Sequence, residues 1–259
     1  MSKSLCILTV VAAIVLSACG QKVDPTRQWN MYRGNYANGV MDEANLPDTW
    51  NAETGENIAW KTEIPGMGHS CPVVWGNNIF VSTALSELDK GDIKTGIYGS
   101  IGSVQDSSVH EWKTYCIDKK TGNIKWEQTA CKGIPEQKRH PMSSHANCTP
   151  ATNGKYVVAF FGSEGLYCYD IKGNLQWEKD FGVLKSTFFL VPQAEWEFSS
   201  SPLIHKDVVI IQCDVMENSF VAAYDLKTGK EIWKQERDEY PGWCTPNIYF
   251  DGKKDIVAL

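Results

Sequence analysis

An all-β fold, a β-propeller of four-stranded antiparallel blades, is predicted by three observations. A segment carrying Asp, Gly and Trp recurs; a proline keeps the same beat; and tryptophan is in excess, with 10 in 259 residues. Residues 115–126 read Tyr-Cys-Ile-Asp-Lys-Lys-Thr-Gly-Asn-Ile-Lys-Trp, and residues 167–177 repeat them with a turn one residue shorter. Residues 223–233 give Ala-Tyr-Asp-Leu-Lys-Thr-Gly-Lys-Glu-Ile-Trp, so successive Trp stand 51 and 56 residues apart. The second marker is Ser70-Cys71-Pro72, Cys148-Thr149-Pro150, Ser200-Ser201-Pro202 and Cys244-Thr245-Pro246. Repetition at about 50 residues is the mark of a propeller or solenoid.

Each unit reads as four strands. In the second, 149–152 leads through Asn153-Gly154 to 156–161, a Gly-Ser-Glu-Gly turn leads to 166–169, and Lys-Gly-Asn leads to 175–177. The turns use Gly and Asn, which tolerate positive φ, and the strands are β-branched and aromatic. Proline opens a strand at little cost because no interior ladder bond is lost there. A β-sandwich with accidental similarity is disfavoured by three aligned copies. The chain holds about three complete blades and the start of a fourth, ending at residue 259 inside an apparent strand. Part of a ring leaves sheet edges open, so further C-terminal residues are expected.

Composition excludes several classes. With 42% hydrophobic and 22% charged residues the chain reads as an ordinary folded protein, and a net charge of −6 offers no basic surface for nucleic acid. Lys3 and the apolar run 5–16 are too short to span a bilayer, which needs about 20 helical residues, and suit a signal peptide. That run ends in Leu16-Ser17-Ala18-Cys19, which resembles the bacterial lipobox, with Cys19 as the lipidated first residue; Gly20 after it resembles sorting to the outer membrane. The expected organisation is a signal peptide over 1–18, a lipidated tether over 19–28 and a partial propeller over 29–259.

Seven cysteines remain beyond Cys6 and Cys19. Most stand at repeat positions that hold Ala or Ser in other copies, so they read as small buried residues. Export permits disulfides, but none is assigned, and no CxxC or adjacent Cys pair occurs.

The Asp-x-x-Thr-Gly-x-x-x-Trp copies resemble the tryptophan-docking repeat of pyrroloquinoline-quinone (PQQ)-type propellers. The resemblance implies that Trp126, Trp177 and Trp233 pack between neighbouring blades. Trp60 looks like a fourth docking residue, on a strand that closes the ring. Residues 29–35, Trp-Asn-Met-Tyr-Arg-Gly-Asn, look like the opening segment of exported members. The family includes quinoprotein alcohol dehydrogenases and many non-catalytic members. The dehydrogenases hold PQQ over a Trp, bind Ca²⁺ through Glu and Asn and use an Asp base. No residue of this chain can be assigned those roles, and the adjacent Cys pair is missing.

The best local constellation precedes the blade-starting strands. His145 and Glu197 each stand five residues ahead of their blade proline and His69 stands three ahead, in loops that enter the channel at one mouth. Imidazole and carboxylate together suit a divalent metal or a polar ligand. His110 and His140 are weaker candidates, and the 85–110 insertion is a long loop of the kind that carries recognition. No catalytic residue is assigned.

The resemblance implies first a lipid-anchored, non-catalytic binding or scaffolding module of the outer-membrane assembly factor BamB type, needing no cofactor. It would face the periplasm and hold an envelope protein partner. The alternative is a periplasmic PQQ- and Ca²⁺-dependent alcohol or sugar dehydrogenase. The third is a polysaccharide-binding propeller anchored by exposed Trp196 and Trp243.

Overall fold

Segments rich in Val, Ile, Phe and Tyr pair in chain order into antiparallel sheets. The computed structural model describes residues 23–42, 44–86 and 102–259; the expected signal peptide, Cys19 and most of the 85–110 insertion lie outside them. Blade 1 consists of β1 (Val73–Trp75), β2 (Asn78–Leu85), β3 (His110–Asp118) and β4 (Ile124–Gly133). Blade 2 consists of β5 (Ala151–Thr152), β6 (Tyr156–Phe160), β7 (Leu166–Asp170) and β8 (Leu175–Lys179). Blade 3 consists of β9 (Leu203–His205), β10 (Val208–Cys213), β11 (Phe220–Asp225) and β12 (Glu231–Glu236), and β13 (Asn247–Phe250) pairs with β14 (Asp255–Ala258) as a two-stranded beginning of a fourth. Three four-stranded blades and the start of another make a partial propeller.

The cores lie between blades. β7 and β11 are buried on both faces except at their terminal Asp, whereas every residue of β12 is exposed. Val73, Phe80 and Cys116 of blade 1 pack with Val157 of blade 2. Val158, Phe160, Leu166 and Cys168 of blade 2 pack with Ile210, Ile211 and Ala223 of blade 3. At roughly 1.5–3 kcal/mol for each large apolar side chain removed from water, a lone blade leaves most of this stabilisation unrealised.

The Asp…Gly…Trp segment has a local cause and a tertiary one. Asp118 Oδ1 accepts the amides of Lys120 and Thr121, and Gly122 N–H donates to the Asp118 carbonyl. Asp225 repeats this with Thr228 and Gly229; the Thr228 hydroxyl and amide hold its carboxyl below the usual range. The turn glycines Gly122, Gly173 and Gly229 take φ of +76°, +93° and +68°, conformations that glycine adopts without steric cost. Onto each lies the indole of the preceding segment. Trp60 donates its Nε1–H to the Lys119 carbonyl at 2.9 Å, Trp126 to Ile171 at 3.2 Å and Trp177 to Leu226 at 2.9 Å. All three acceptors are the residue after the turn Asp. Trp60 makes this contact from an extended segment that belongs to no sheet among the described residues. Trp233 stands 39% exposed on β12, and no turn is docked on it among the described residues.

Cys116 and Cys168 face Trp126 and Trp177 across the outer strand pair, as Ala223 faces Trp233. All three are buried, which explains why small residues alternate there. Cys148 and Cys213 are buried too, whereas Cys71 and Cys244 are exposed, so the buried-cysteine reading does not extend to Cys244.

Innermost strand β5 lies between β1 and β9 and contacts both. Between their starts runs a series of bonds. The Cys71 amide donates to Thr149 Oγ1, Thr149 to Ser201 Oγ and Ser201 to Thr245 Oγ1, at 2.9–3.0 Å. Each donor stands immediately before its blade proline. Residues 29 and 30 pair with two of these strands: Val74 N–H donates to the Trp29 carbonyl and Thr152 N–H to that of Asn30. Trp29 folds its ring onto Gly34, whose φ is +74°.

A methyl group at the docking glycines meets the indole. A Cβ at Gly122, Gly173 or Gly229 would stand 2.6, 2.9 or 2.7 Å from a Trp ring atom, whereas at Gly252, also at positive φ, it meets nothing within 4 Å. Gly173→Ala should therefore cost more than Gly252→Ala, with about 2–4 kcal/mol expected against about 1. Urea unfolding of both variants measures this, and equal losses would contradict indole docking as the source of the difference.

Candidate functional site

Loops entering β5 and β9 carry His145 and Glu197, and the structure brings the two together. His145 Nδ1 and Glu197 Oε2 are 2.6 Å apart, with both side chains 2% exposed. Glu197 has φ of +67°, a left-handed conformation that costs a non-glycine residue about 1–3 kcal/mol. Three bonds hold it there. Its carboxylate meets His145, its Oε1 accepts the Phe198 amide at 3.1 Å, and its carbonyl accepts Trp243 Nε1–H at 2.9 Å. The His145 carbonyl in turn accepts Trp112 Nε1–H at 2.8 Å.

Sequence reasoning ranked His110 low, yet it belongs to this cluster. Its ring meets that of His145 edge-on at 4.9 Å, its Nδ1–H donates to the Ser108 carbonyl, and its Nε2 lies 3.7 Å from Asp106 Oδ2. His110, His145 and Glu197 thus form a buried line from blade 1 to blade 3, with the half-buried Asp106 at its end. Burial pushes Glu197 up to about 8, with the Phe198 amide opposing and Glu195 adding to the rise. Burial and the nearby Glu197 carry Glu164 to about 8 as well. The pair is shielded from solvent, so its geometry suits holding the loops in place rather than meeting a substrate. Among the described residues, no three His, Cys, Asp or Glu side chains group to hold a metal.

His69 lies elsewhere. It lines a cavity of about 400 Å³ at the channel mouth, with Tyr32 of the N-terminal segment, His140, Trp196 and Trp243. Partial burial and the Arg139 guanidinium hold the His69 imidazole below its ordinary value, so it is neutral near pH 7. The cavity follows a rule legible in the sequence but read two residues off. Residues three ahead of each blade proline, His69, Asn147, Ser199 and Trp243, all line it, and so do Thr149, Ser201 and Thr245 one ahead. Alternation in an extended strand points these positions to one side. Trp196 and Trp243 are half-buried rather than exposed, with ring centroids 5.6 Å apart.

A second cavity, of about 460 Å³, opens between blades 1 and 2 beside Cys131, Glu164 and Tyr167. Burial pushes the Cys131 thiol up to about 12, which leaves it a poor nucleophile.

Sequential four-stranded blades joined by indole-on-glycine docking define a PQQ-like β-propeller repeat protein. The chain belongs to the family described as outer membrane protein assembly factor BamB, which matches it over residues 48–182 and 110–242. No curated protein matches the chain. Among solved structures it is similar to the quinohemoprotein alcohol dehydrogenase of Comamonas testosteroni, at 18% identity and a TM-score of 0.46, covering 82% of this chain and 28% of that one. It is also similar to BamB from Moraxella catarrhalis, at 14% identity and a TM-score of 0.37, covering 76% of this chain and 57% of that one. The chain therefore spans less than two thirds of the length of either.

The buried carboxyl makes stability depend on pH. The folded chain keeps on Glu197 a proton that the unfolded chain releases. Its contribution is fully present below the ordinary value of 4.5 and is lost as pH rises through about 8. Glu164 acts in the same direction. The urea midpoint should fall between pH 6 and pH 9, and Glu197→Gln, which keeps the shape of the side chain, should show a shallower decline. Identical slopes for the two proteins would count against this assignment.

Proposed function

We propose that this chain is the propeller of an exported, lipid-anchored binding module of the cell envelope, non-catalytic, with loops on a rigid ring holding a partner. Membership of the BamB family supports an envelope role. The observation that carries the non-catalytic reading is the lining of the channel-mouth cavity. Its residues are Tyr, His, Met, Ser, Asn, Thr and Trp, with no carboxylate and no Lys or Arg among the described ones. The anchoring part rests on Leu16-Ser17-Ala18-Cys19 after an apolar run too short to span a bilayer. Gly20 after Cys19 supports an outer-membrane position facing the periplasm.

The alternative, a PQQ-dependent dehydrogenase, asks for carboxylate oxygens around Ca²⁺, a carboxylate base and cationic partners for the carboxylates of the quinone. The described cavity residues do not fit those groups. Glu197, in the loop beside the cavity, is engaged with His145 and does not line it.

Expression in a Gram-negative host with a clickable palmitate analogue tests the anchor. The wild-type chain should be labelled and partition with membranes, and Cys19→Ser should be unlabelled and recovered unprocessed. Export of the wild-type chain without label would overturn the anchoring. Dye-linked alcohol oxidation with added PQQ and Ca²⁺ should give no turnover; steady turnover would overturn the non-catalytic reading.

A further inference from the structure

We propose that the channel-mouth cavity is a binding site for a neutral carbohydrate, with Trp196 and Trp243 as its stacking wall. The inference does not depend on the lipid anchor or on a protein partner. Trp196 lies parallel to Phe188, with centroids 5.2 Å apart and planes 8° apart; Trp243 stands 5.6 Å away, and His140 meets the Trp196 ring edge-on at 5.3 Å. This aromatic cluster is prearranged. Trp243 is fixed through its indole N–H to the carbonyl of Glu197, whose strained backbone is itself held by His145. Fixing the wall before binding lowers the ordering cost that a ligand must overcome.

The remaining wall selects the class of ligand. Ser199, Ser201, Thr245, Asn147 and a neutral His69 supply uncharged donors and acceptors in the same lining as the rings. A phosphate or uronate would find no Lys or Arg in the lining, and a cation would find no carboxylate. A wholly apolar ligand would strip water from these hydroxyls without replacing it. A sugar ring satisfies both halves, presenting C–H groups to indole and hydroxyls to Ser, Thr, Asn and His. At about 400 Å³ the cavity lies within the range of small-molecule sites, roughly 300–1,000 Å³.

The test applies the full chain to an array of neutral and acidic glycans, followed by tryptophan-fluorescence titration with cellohexaose, maltohexaose and hexagalacturonate. Saturable quenching is expected with a neutral hexasaccharide, and binding of hexagalacturonate should be at least tenfold weaker. Trp243→Ala should weaken the neutral interaction at least tenfold, while Trp243→Phe should stay within about threefold. Ser199→Phe, which fills the cavity from a position outside the aromatic cluster, should abolish binding while near-ultraviolet circular dichroism and the urea midpoint stay close to wild type. The proposal is overturned if the folded chain binds no neutral glycan, binds the acidic one as well, or keeps its affinity in both Trp243→Ala and Ser199→Phe.

Discussion

Everything in this molecule depends on an indole of one repeat lying flat on a glycine of the next. A four-stranded blade with both faces of its middle strands apolar cannot be stable alone, and stacking against a neighbour must be specified in angle as well as area. The Trp–Gly contact specifies it. The glycine lets the ring approach to a distance that no Cβ would permit, and the indole N–H is satisfied by the carbonyl that follows the turn Asp. Because Asp118, Asp170 and Asp225 build the turn from their own side chains, the docking surface exists before the neighbour arrives. The small residue opposite each Trp then leaves room for the ring.

The repeat made the fold legible from residues alone. Strand order and turn positions follow from three aligned segments, since each segment carries its own turn chemistry, and the role of Trp126 and Trp177 follows from the resemblance of those segments to the tryptophan-docking repeat. The site was legible only in part. Counting from the blade proline found the right loops, but His145 and Glu197, five residues ahead, do not face the lumen. Strand alternation would have put them there; the positive φ at Glu197 breaks the alternation and turns the carboxylate back toward His145. The residues one and three ahead of the proline obey the alternation and form the cavity. No pattern in the sequence marks a strained glutamate, because the strain is held by Trp243 and His145 from across the fold. His110 escaped notice for a related reason. It opens a strand in the first blade, and only the approach of the second blade sets it beside His145.

The opening segment shows how a short motif acquires several roles. Trp29 and Asn30 pair with the inner strands of two blades, Met31 joins the core between blades 2 and 3, and Tyr32 lines the cavity. One stretch of chain thereby ties the inner strands together and contributes to the wall of the channel mouth. The tight turn at Gly34 against the Trp29 ring allows the chain to leave the inner strands without displacing them.

The series of bonds from Cys71 through Thr149 and Ser201 to Thr245 gives the ring a second circumference of fixation, well inside that of the tryptophans. A blade pinned at two radii behaves as a lever with no free pivot: it can neither swing outward nor roll about its long axis without breaking bonds at both ends. The spacing of the blades at this inner radius is accordingly held by one hydroxyl side chain at each junction. Outward-facing loops can then lengthen or change in composition while that spacing is kept.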